Sequence, residues 1–434
     1  MKPRELFSFL LLSALGVLPS QAAGRFIVRI NGGSSTIQAV CVALGCTVGG
    51  GLDGSLGQVF LVTTSDLVDT NTFLATLRLT TGVADAELDL QAHASQSGYT
   101  IPPALSDTSP VTYFGSTVPN GYVNQPATQI IRLSDTRAAF GVKGAGVVAV
   151  IDTGVDSKHP ALQSVLVPGY DFTRNQNGKA DETDDVVLSK KPAVNGVPAA
   201  WVNPNAVALV DQSTAAVVDG QSQYGDFGHG TMVAGLIHLI APGAMIMPLK
   251  AFMADGTAYA SDILRAIYRA VQSNANIINM SFNLAAYSKE VENAVNFANR
   301  NGVICVAAAG NNGQDMLVYP AGLSAVMAVA STTNDDQRSS FSNYGQNFIW
   351  IAAPGEGIVT TYPFGTYAAV WGTSFSTAFI SGVAALMLDV QINCDQLEGA
   401  QSMAHAKSIS PDLGNGRLDA FQAVQAWRQL LGMQ

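Results

Sequence analysis

Three short stretches of this 434-residue chain hold side chains suited to acyl transfer. Ser374 stands in G-T-S-F-S-T-A-F-I-S-G, where Gly372 makes a turn and Phe375, Phe379, Val383 and Leu386 mark the buried side of a helix. A serine in that first turn lies among unpaired backbone N–H groups at the positive end of the helix dipole, where a developing negative charge is stabilised. Asp152 closes the apolar run V-V-A-V-I-D ahead of T-G-V, at the carboxyl end of a buried strand. His229 lies in G-H-G-T at the start of a helix whose apolar face is Met232, Val233, Leu236, Ile237 and Ile240. A serine hydroxyl attacks a carbonyl poorly near neutral pH unless a base removes its proton. Histidine is the usual base, and a carboxylate fixes its tautomer and stabilises its cation. Each residue also has a plainer reading: strand-end cap, satisfied buried histidine, helix cap. Capping serines are far commoner than nucleophiles. What sets His229 apart from His93, His159, His238 and His405 is the glycine on each side, which permits close approach of backbone and substrate.

The elements around these residues form a consistent frame. Runs at 147–151, 245–249, 277–282, 303–309, 325–330 and 349–352 are apolar without alternation, as strands covered on both faces should be. Helical patterns over 262–272 and 289–301 fall between them, the second stopping at Gly302. Strands alternating with helices predict an α/β fold, a parallel sheet with helices on both faces whose ligands sit at the carboxyl ends of the strands. Asp152, His229 and Ser374 all fall on that rim.

The rest of the chain bounds where the protein acts. With 22 basic against 32 acidic residues, the formal charge is −10, and the electrostatic footprint of a nucleic-acid binder is missing. Residues 1–23 read as charge (Lys2, Arg4), a short apolar core, then small residues, the order of a cleaved secretory signal. That implies export to an extracellular or periplasmic location, and no later stretch reads as a membrane span. Residues 24–95 alternate short strands and helices and predict a small α+β unit. Residues 96–129 dissolve into Ser, Pro, Gly, Asn and Thr and read as a linker or extended segment, ahead of a main domain over 130–434. Within that domain, 173–224 reads as a solvated surface insertion, although its acidic cluster of Asp181, Glu182, Asp184 and Asp185 could in principle attract a hard cation. Cys41, Cys46, Cys305 and Cys394 read mainly as small core residues; a Cys41–Cys46 disulfide is only weakly supported.

With these residues in view, the chain resembles the subtilisin-like serine proteases from about Gly146 to Val390. The matches keep the family's order: D-T-G-V at 152–155, G-H-G-T at 228–231, I-N-M-S-F at 278–282, A-A-A-G-N at 307–311, Y-P-A at 319–321, F-S-N-Y-G at 341–345, A-P-G at 353–355 and G-T-S at 372–374. The resemblance implies a serine endopeptidase working through an acyl-enzyme on Ser374, with Asp152 and His229 completing the triad and Asn311 donating to the oxyanion. It places Ser281, Phe282, Asn283, Ala308, Ala309, Gly310 and Val318 around the specificity pocket, and an edge at 252–256 for a substrate strand. It also implies protein or peptide substrates, and it likens residues 24–95 to an inhibitory prosegment that assists folding and is cut away.

Departures from the family pattern carry their own expectations. Ala161 follows His-Pro where many relatives have an acidic calcium ligand. No metal ligand is assigned and no cofactor is certain; calcium stays open, with the family's usual site lacking its acidic residue at Ala161. Asn283 and Val318 stand where smaller residues are usual, which implies a pocket for small or medium apolar side chains. A rival from another class is a catalytically silent subtilase-like binding protein; the intact set of Asp152, His229, Ser374 and Asn311 argues against it. An esterase with the same triad would lack its usual G-x-S-x-G frame here.

Overall fold

The computed structural model describes residues 24–65, 68–93, 102–185, 208–209, 225–284, 286–391 and 409–433. The signal-like segment 1–23, Cys394, and most of the 173–224 stretch lie outside them.

The described chain forms two compact units, the first made of residues up to 50 together with 60–88. Its sheet is built from β1 (Arg25–Ile30), β2 (Thr47–Gly51), β3 (Val59–Thr63) and β4 (Val83–Leu88) in the order β2-β3-β1-β4. Helices α1 (Ser34–Leu44) and α2 (Thr70–Leu79) accompany it. Phe26, Val28, Ile37, Val62, Phe73 and Leu77 close a core of their own, as the alternation of strand and helix patterns requires. Cys41 and Cys46 are joined in a disulfide here, whereas Cys305 is a buried free thiol.

The second unit holds residues 51–59 and everything from Asp89 onward. Its first strand is β5 (Gln91–His93). A hairpin of β6 (Pro110–Tyr113) and β7 (Ser116–Pro119) follows, then α3 (Asn120–Val123), α4 (Pro126–Ile130) and α5 (Leu133–Phe140). This stretch differs from the linker expected over 96–129. Tyr113, Val118, Tyr122 and Ala127 are buried in the main core, with the Tyr122 hydroxyl donating to the Gly235 carbonyl at 2.7 Å. Burying one such large apolar side chain is worth roughly 1.5–3 kcal/mol. A few anchors spaced irregularly among Pro and Gly leave no period to read.

The main sheet follows the expected α/β pattern. Its strands are β8 (Val147–Asp152), β9 (Tyr170–Asp171), β10 (Gln176–Asn177), β12 (Met245–Lys250), β14 (Ile277–Met280), β16 (Ile304–Ala308), β17 (Met327–Thr332) and β18 (Ile349–Pro354), with the minor strands β11 (Ala208–Leu209), β13 (Thr257–Tyr259) and β15 (Asn283–Leu284) set outside it. The order is β10-β9-β12-β8-β14-β16-β17-β18, parallel except at β10. After β8 the chain adds β9, β10 and β12 on one side and then crosses to β14 on the other. Such a reversal opens a crevice at the carboxyl end of β8.

Helix α6 (His229–Ile240) and helix α9 (Thr373–Val390) pack on each other in the larger core, along with α10 (Ala420–Leu430). Helices α7 (Ala260–Gln272) and α8 (Lys289–Arg300) pack together against β8, β12 and β16. The antiparallel hairpin of β19 (Ile358–Tyr362) and β20 (Thr366–Val370) leads into α9. By length and composition α9 could cross a membrane, contrary to the sequence expectation, but Thr373 through Leu388 are all buried inside the unit. It is a core helix.

Candidate active site

Asp152 ends β8, and His229 begins α6, because the sequence places each beside a glycine turn. Gly228 adopts φ 93°, and a Cβ there would fall 2.3 Å from the Tyr362 ring; a Cβ at Gly230 would fall 2.0 Å from the Gly154 carbonyl oxygen. Only glycines let the start of α6 come down onto the turn after β8. The result is a contact of 2.8 Å between His229 Nδ1 and Asp152 Oδ1, with both side chains buried. Asp152 Oδ1 also accepts from Thr153 N at 2.8 Å. With Nδ1–H held by the carboxylate, the lone pair of the neutral ring lies on Nε2, which has no hydrogen-bond partner among the described residues.

Ser374 is the second residue of α9, behind Gly372. Its hydroxyl donates to the Ser281 carbonyl at 3.1 Å, and the Ser281 hydroxyl donates to the Ser374 carbonyl at 2.9 Å. Asn279 fixes the second hydroxyl from below, donating to it at 2.9 Å while accepting from Ser381. The His229 ring lies 5.6 Å from the ring of Phe375, the residue after Ser374, so α6 and α9 meet at their first turns.

Asn311 follows β16, on the same rim. Its Oδ1 accepts from Thr373 N and from the Thr373 hydroxyl, each at 2.9 Å, and Gly310 N donates to that hydroxyl at 3.2 Å. An amide held by its oxygen presents Nδ2 on its opposite edge. Buried Asn343 fastens the loop, donating to Ala309 O at 3.0 Å and accepting from Asn312 N at 3.0 Å. The F-S-N-Y-G stretch at 341–345 is the sequence signal for Asn343, though its role emerges only here.

The residues expected around a specificity pocket line the same rim. Ala308 and Ala309 are buried at the end of β16, next to Gly310. Phe282 packs on Phe252 with ring centroids 4.9 Å apart. Asn283, oriented to donate, reaches the carbonyls of Phe282 and Ala308 at 3.1 and 3.2 Å. Val318 is buried beside Tyr319, whose carbonyl accepts from Leu284 N at 2.6 Å.

Strand β5 runs antiparallel between β13 and β15. His93 pairs with Thr257 on one side and with Asn283 on the other; Ala92 pairs with Ala258 and Leu284. The pairing edge is thus Thr257–Tyr259, immediately after the 252–256 segment expected to provide it. His93, read from sequence as outside the α/β domain, is part of this three-stranded sheet. Asp89 fastens the strand by accepting from Ser261 N and from its hydroxyl, each at 2.7 Å.

The electrostatics favour a charged form at His229. Burial works against its cation, but the Asp152 carboxylate, as charge and as acceptor, together with Asp226 and Glu182, raises its pKa above the ordinary 6.5. Burial pushes the Asp226 carboxyl up to about 7, against the pull of His229.

The beginning of the 173–224 stretch corrects the reading of it as a solvated insertion. Glu182 is fully buried, and Lys250, also fully buried, donates from Nζ to Asp185 at 2.6 Å, to Thr153 O at 2.6 Å and to Phe252 O at 2.8 Å. Arg174 pairs with Asp171 at 2.8 Å and with Asp185. Asp181 accepts from Ser157 and Thr183. The carboxylates of Asp181, Glu182 and Asp185 are thus engaged by protein donors and cations. Among the described residues no group of three or more His, Cys, Asp or Glu could hold a metal ion.

Comparison with known proteins bears on this arrangement. The model described as "Subtilase family" matches residues 144–422. A "Thermophilic serine proteinase" of Bacillus sp. (strain AK1) is 32% identical over 279 residues, covering 64% of this chain and 61% of the relative. Thermitase of Thermoactinomyces vulgaris is 32% identical over 290 residues, covering 65% of this chain and 90% of the relative. Subtilisin BL of Lederbergia lenta is 36% identical over 300 residues, covering 66% and 91%. The chain thus spans less than two thirds of the first relative and most of the other two. Among solved structures, fervidolysin from Fervidobacterium pennivorans, a keratinolytic enzyme related to subtilisin, superposes with a TM-score of 0.70 at 20% identity over 93% of this chain and 61% of that one, a likeness of fold.

Proposed function

Because the chain belongs to the subtilase family of serine-type endopeptidases, we propose that it is a secreted endopeptidase that hydrolyses peptide bonds through an acyl-enzyme on Ser374. The observation that carries this reading is the buried Asp152–His229 contact of 2.8 Å at the carboxyl end of β8, in a unit where β5 already pairs as a strand between β13 and β15. In the reaction, the Ser374 hydroxyl turns from the Ser281 carbonyl to His229 Nε2 and attacks the substrate carbonyl carbon as Nε2 takes its proton. The oxyanion is met by the N–H of Ser374 and by Asn311 Nδ2. His229 then protonates the leaving amine, and water repeats the sequence on the ester. Export is supported by the order of residues 1–23.

The same reading takes residues 24–95 as an intramolecular inhibitor, because β5 at 91–93 makes main-chain pairing on both sides as an added strand would. A serine-directed fluorophosphonate probe, followed by intact mass, tests the proposal together with hydrolysis of a peptide pool. The parent is expected to take up one probe at Ser374 and to cleave peptides, and Ser374→Ala to do neither. A folded parent that takes up no probe and cleaves nothing would be a binding protein instead.

A further inference from the structure

Glu182 stands apart from Asp152, His229 and Ser374, yet its buried carboxylate grips both segments that carry the Asp152–His229 pair. Its Oε2 accepts from the Thr153 hydroxyl at 2.8 Å and from Gly228 N at 2.9 Å. Its Oε1 accepts from Thr231 N at 3.1 Å and from the Thr231 hydroxyl. Thr153 directly follows Asp152, and its hydroxyl in turn accepts from Gly230 N at 2.9 Å. Gly228 and Gly230 flank His229. Each bond from Glu182 therefore ends within two residues of one member of the pair.

We propose that Glu182 is a positioning residue for the Asp152–His229 pair, one carboxylate clamping the end of β8 to the first turn of α6. It touches no reacting atom and acts through Thr153, Gly228 and Thr231. This inference rests on the reading of Asp152, His229 and Ser374 as hydrolytic machinery.

The hydrogen-bonding geometry favours a carboxyl side chain at this position, although burial opposes its charge. The first turn of a helix leaves backbone N–H groups without intrahelical partners. An apolar side chain of similar size would strip Gly228 N and Thr231 N of these acceptors in a buried site. Two oxygens with several lone pairs satisfy both N–H groups and both hydroxyls together. Burial does push the Glu182 pKa up to about 8, against the bonds from Thr231 and Thr153 that lower it. The segment that delivers Glu182 is itself fastened, through Asp185 to buried Lys250 and through Asp181 to Ser157. The clamp thus reaches the pair from a part of the chain whose composition suggests only a solvated loop.

The test uses the full-length protein and its processed form. Glu182→Gln keeps the size but sets an amide nitrogen against one of the two backbone N–H groups. In protein that folds by circular dichroism, kcat is expected to fall about 10- to 100-fold while KM stays within about twofold, since a small misplacement of reacting groups is felt in turnover. The low-field proton resonance of His229 Nδ1–H should shift or broaden as well. A folded Gln variant with parental kcat and an unmoved resonance, or a loss confined to KM, overturns the proposal. If Glu182→Gln does not fold, the Thr231 pair decides. Thr231→Val should lower kcat and Thr231→Ser restore it, whereas parental kcat in the Val variant refutes the clamp. Ser374→Ala, run alongside, separates the two readings. Cleavage that survives in it sinks the hydrolytic assignment, while its loss with unaffected Glu182 and Thr231 variants sinks only the positioning role.

Discussion

The Ser374 hydroxyl donates to the carbonyl of Ser281 at 3.1 Å, and Ser281 answers through its own hydroxyl. This reciprocal contact docks the start of α9 on the segment that continues into β15, the strand with which β5 pairs. It therefore relates the position of Ser374 to the register of whatever peptide lies in the cleft.

That register predicts a processing point. His93 pairs with Asn283 in an antiparallel ladder, and Asn283 lies two residues after Ser281, whose carbonyl accepts from Ser374, so the end of the prosegment-like stretch 24–95 follows closely on this pairing in sequence. The bond expected to be cut during maturation is Ser95–Gln96. N-terminal sequencing of the processed protein should read from Gln96, and a start at 100 or beyond would mean that β5 does not mark the substrate register.

Asn311 offers a second test. With its oxygen tied to Thr373, the amide is fixed before any charge develops, which is what makes such a donor effective in the transition state. Asn311→Ala should lower kcat by about 100- to 1,000-fold with little change in KM. Steady-state kinetics on a peptide substrate would show it, and a mainly KM effect would move Asn311 to ground-state binding.

The acid limb of the pH profile follows from His229. The ring must be neutral to take the Ser374 proton, and Asp152, with Asp226 and Glu182, outweighs burial and raises its pKa above 6.5. Activity should therefore be lost as pH falls through a midpoint above 6.5, not below it. Because burial pushes the Asp226 carboxyl up to about 7 while it feels the charges of His229 and Asp152, the measured midpoint belongs to the coupled group. A profile of kcat/KM whose acid midpoint lies at 6 or lower would contradict this electrostatic picture.

How much of this was legible in the sequence depended on period and framing. The six main parallel strands show as unbroken apolar runs because both faces of the sheet are covered, and Asp152, His229 and Ser374 stand out because glycine turns frame them. The hairpin and short helices over 110–130 were illegible. Tyr113, Val118 and Tyr122 anchor them by individual burial, which has no periodicity. Glu182 was misread for a different reason: among Asp181, Asp184 and Asp185 it looks solvated, and only the fold brings Thr153, Gly228 and Thr231 to it. The pairing of buried Lys250 with Asp185, 65 residues away in sequence, was equally out of reach.

The last prediction concerns the side chain accepted just before the scissile bond. The family resemblance sets Asn283 along one wall of that pocket and Val318 towards its base. Both are held firmly, Asn283 against the carbonyls of Phe282 and Ala308, and Val318 in a buried site next to Tyr319, which bonds Leu284. A wall fixed in this way cannot yield to a large ring without strain, and overpacking costs on the order of 1–3 kcal/mol, roughly tenfold to somewhat over a hundredfold in rate. Small or medium apolar residues such as Ala and Leu should therefore be preferred there over Phe and Tyr. Cleavage of a peptide library by the parent and by Val318→Gly would decide the matter. Opening the base should raise kcat/KM for Phe and Tyr relative to Ala, and a parent that already favours aromatic residues, or a variant with an unchanged profile, would remove Val318 from the pocket.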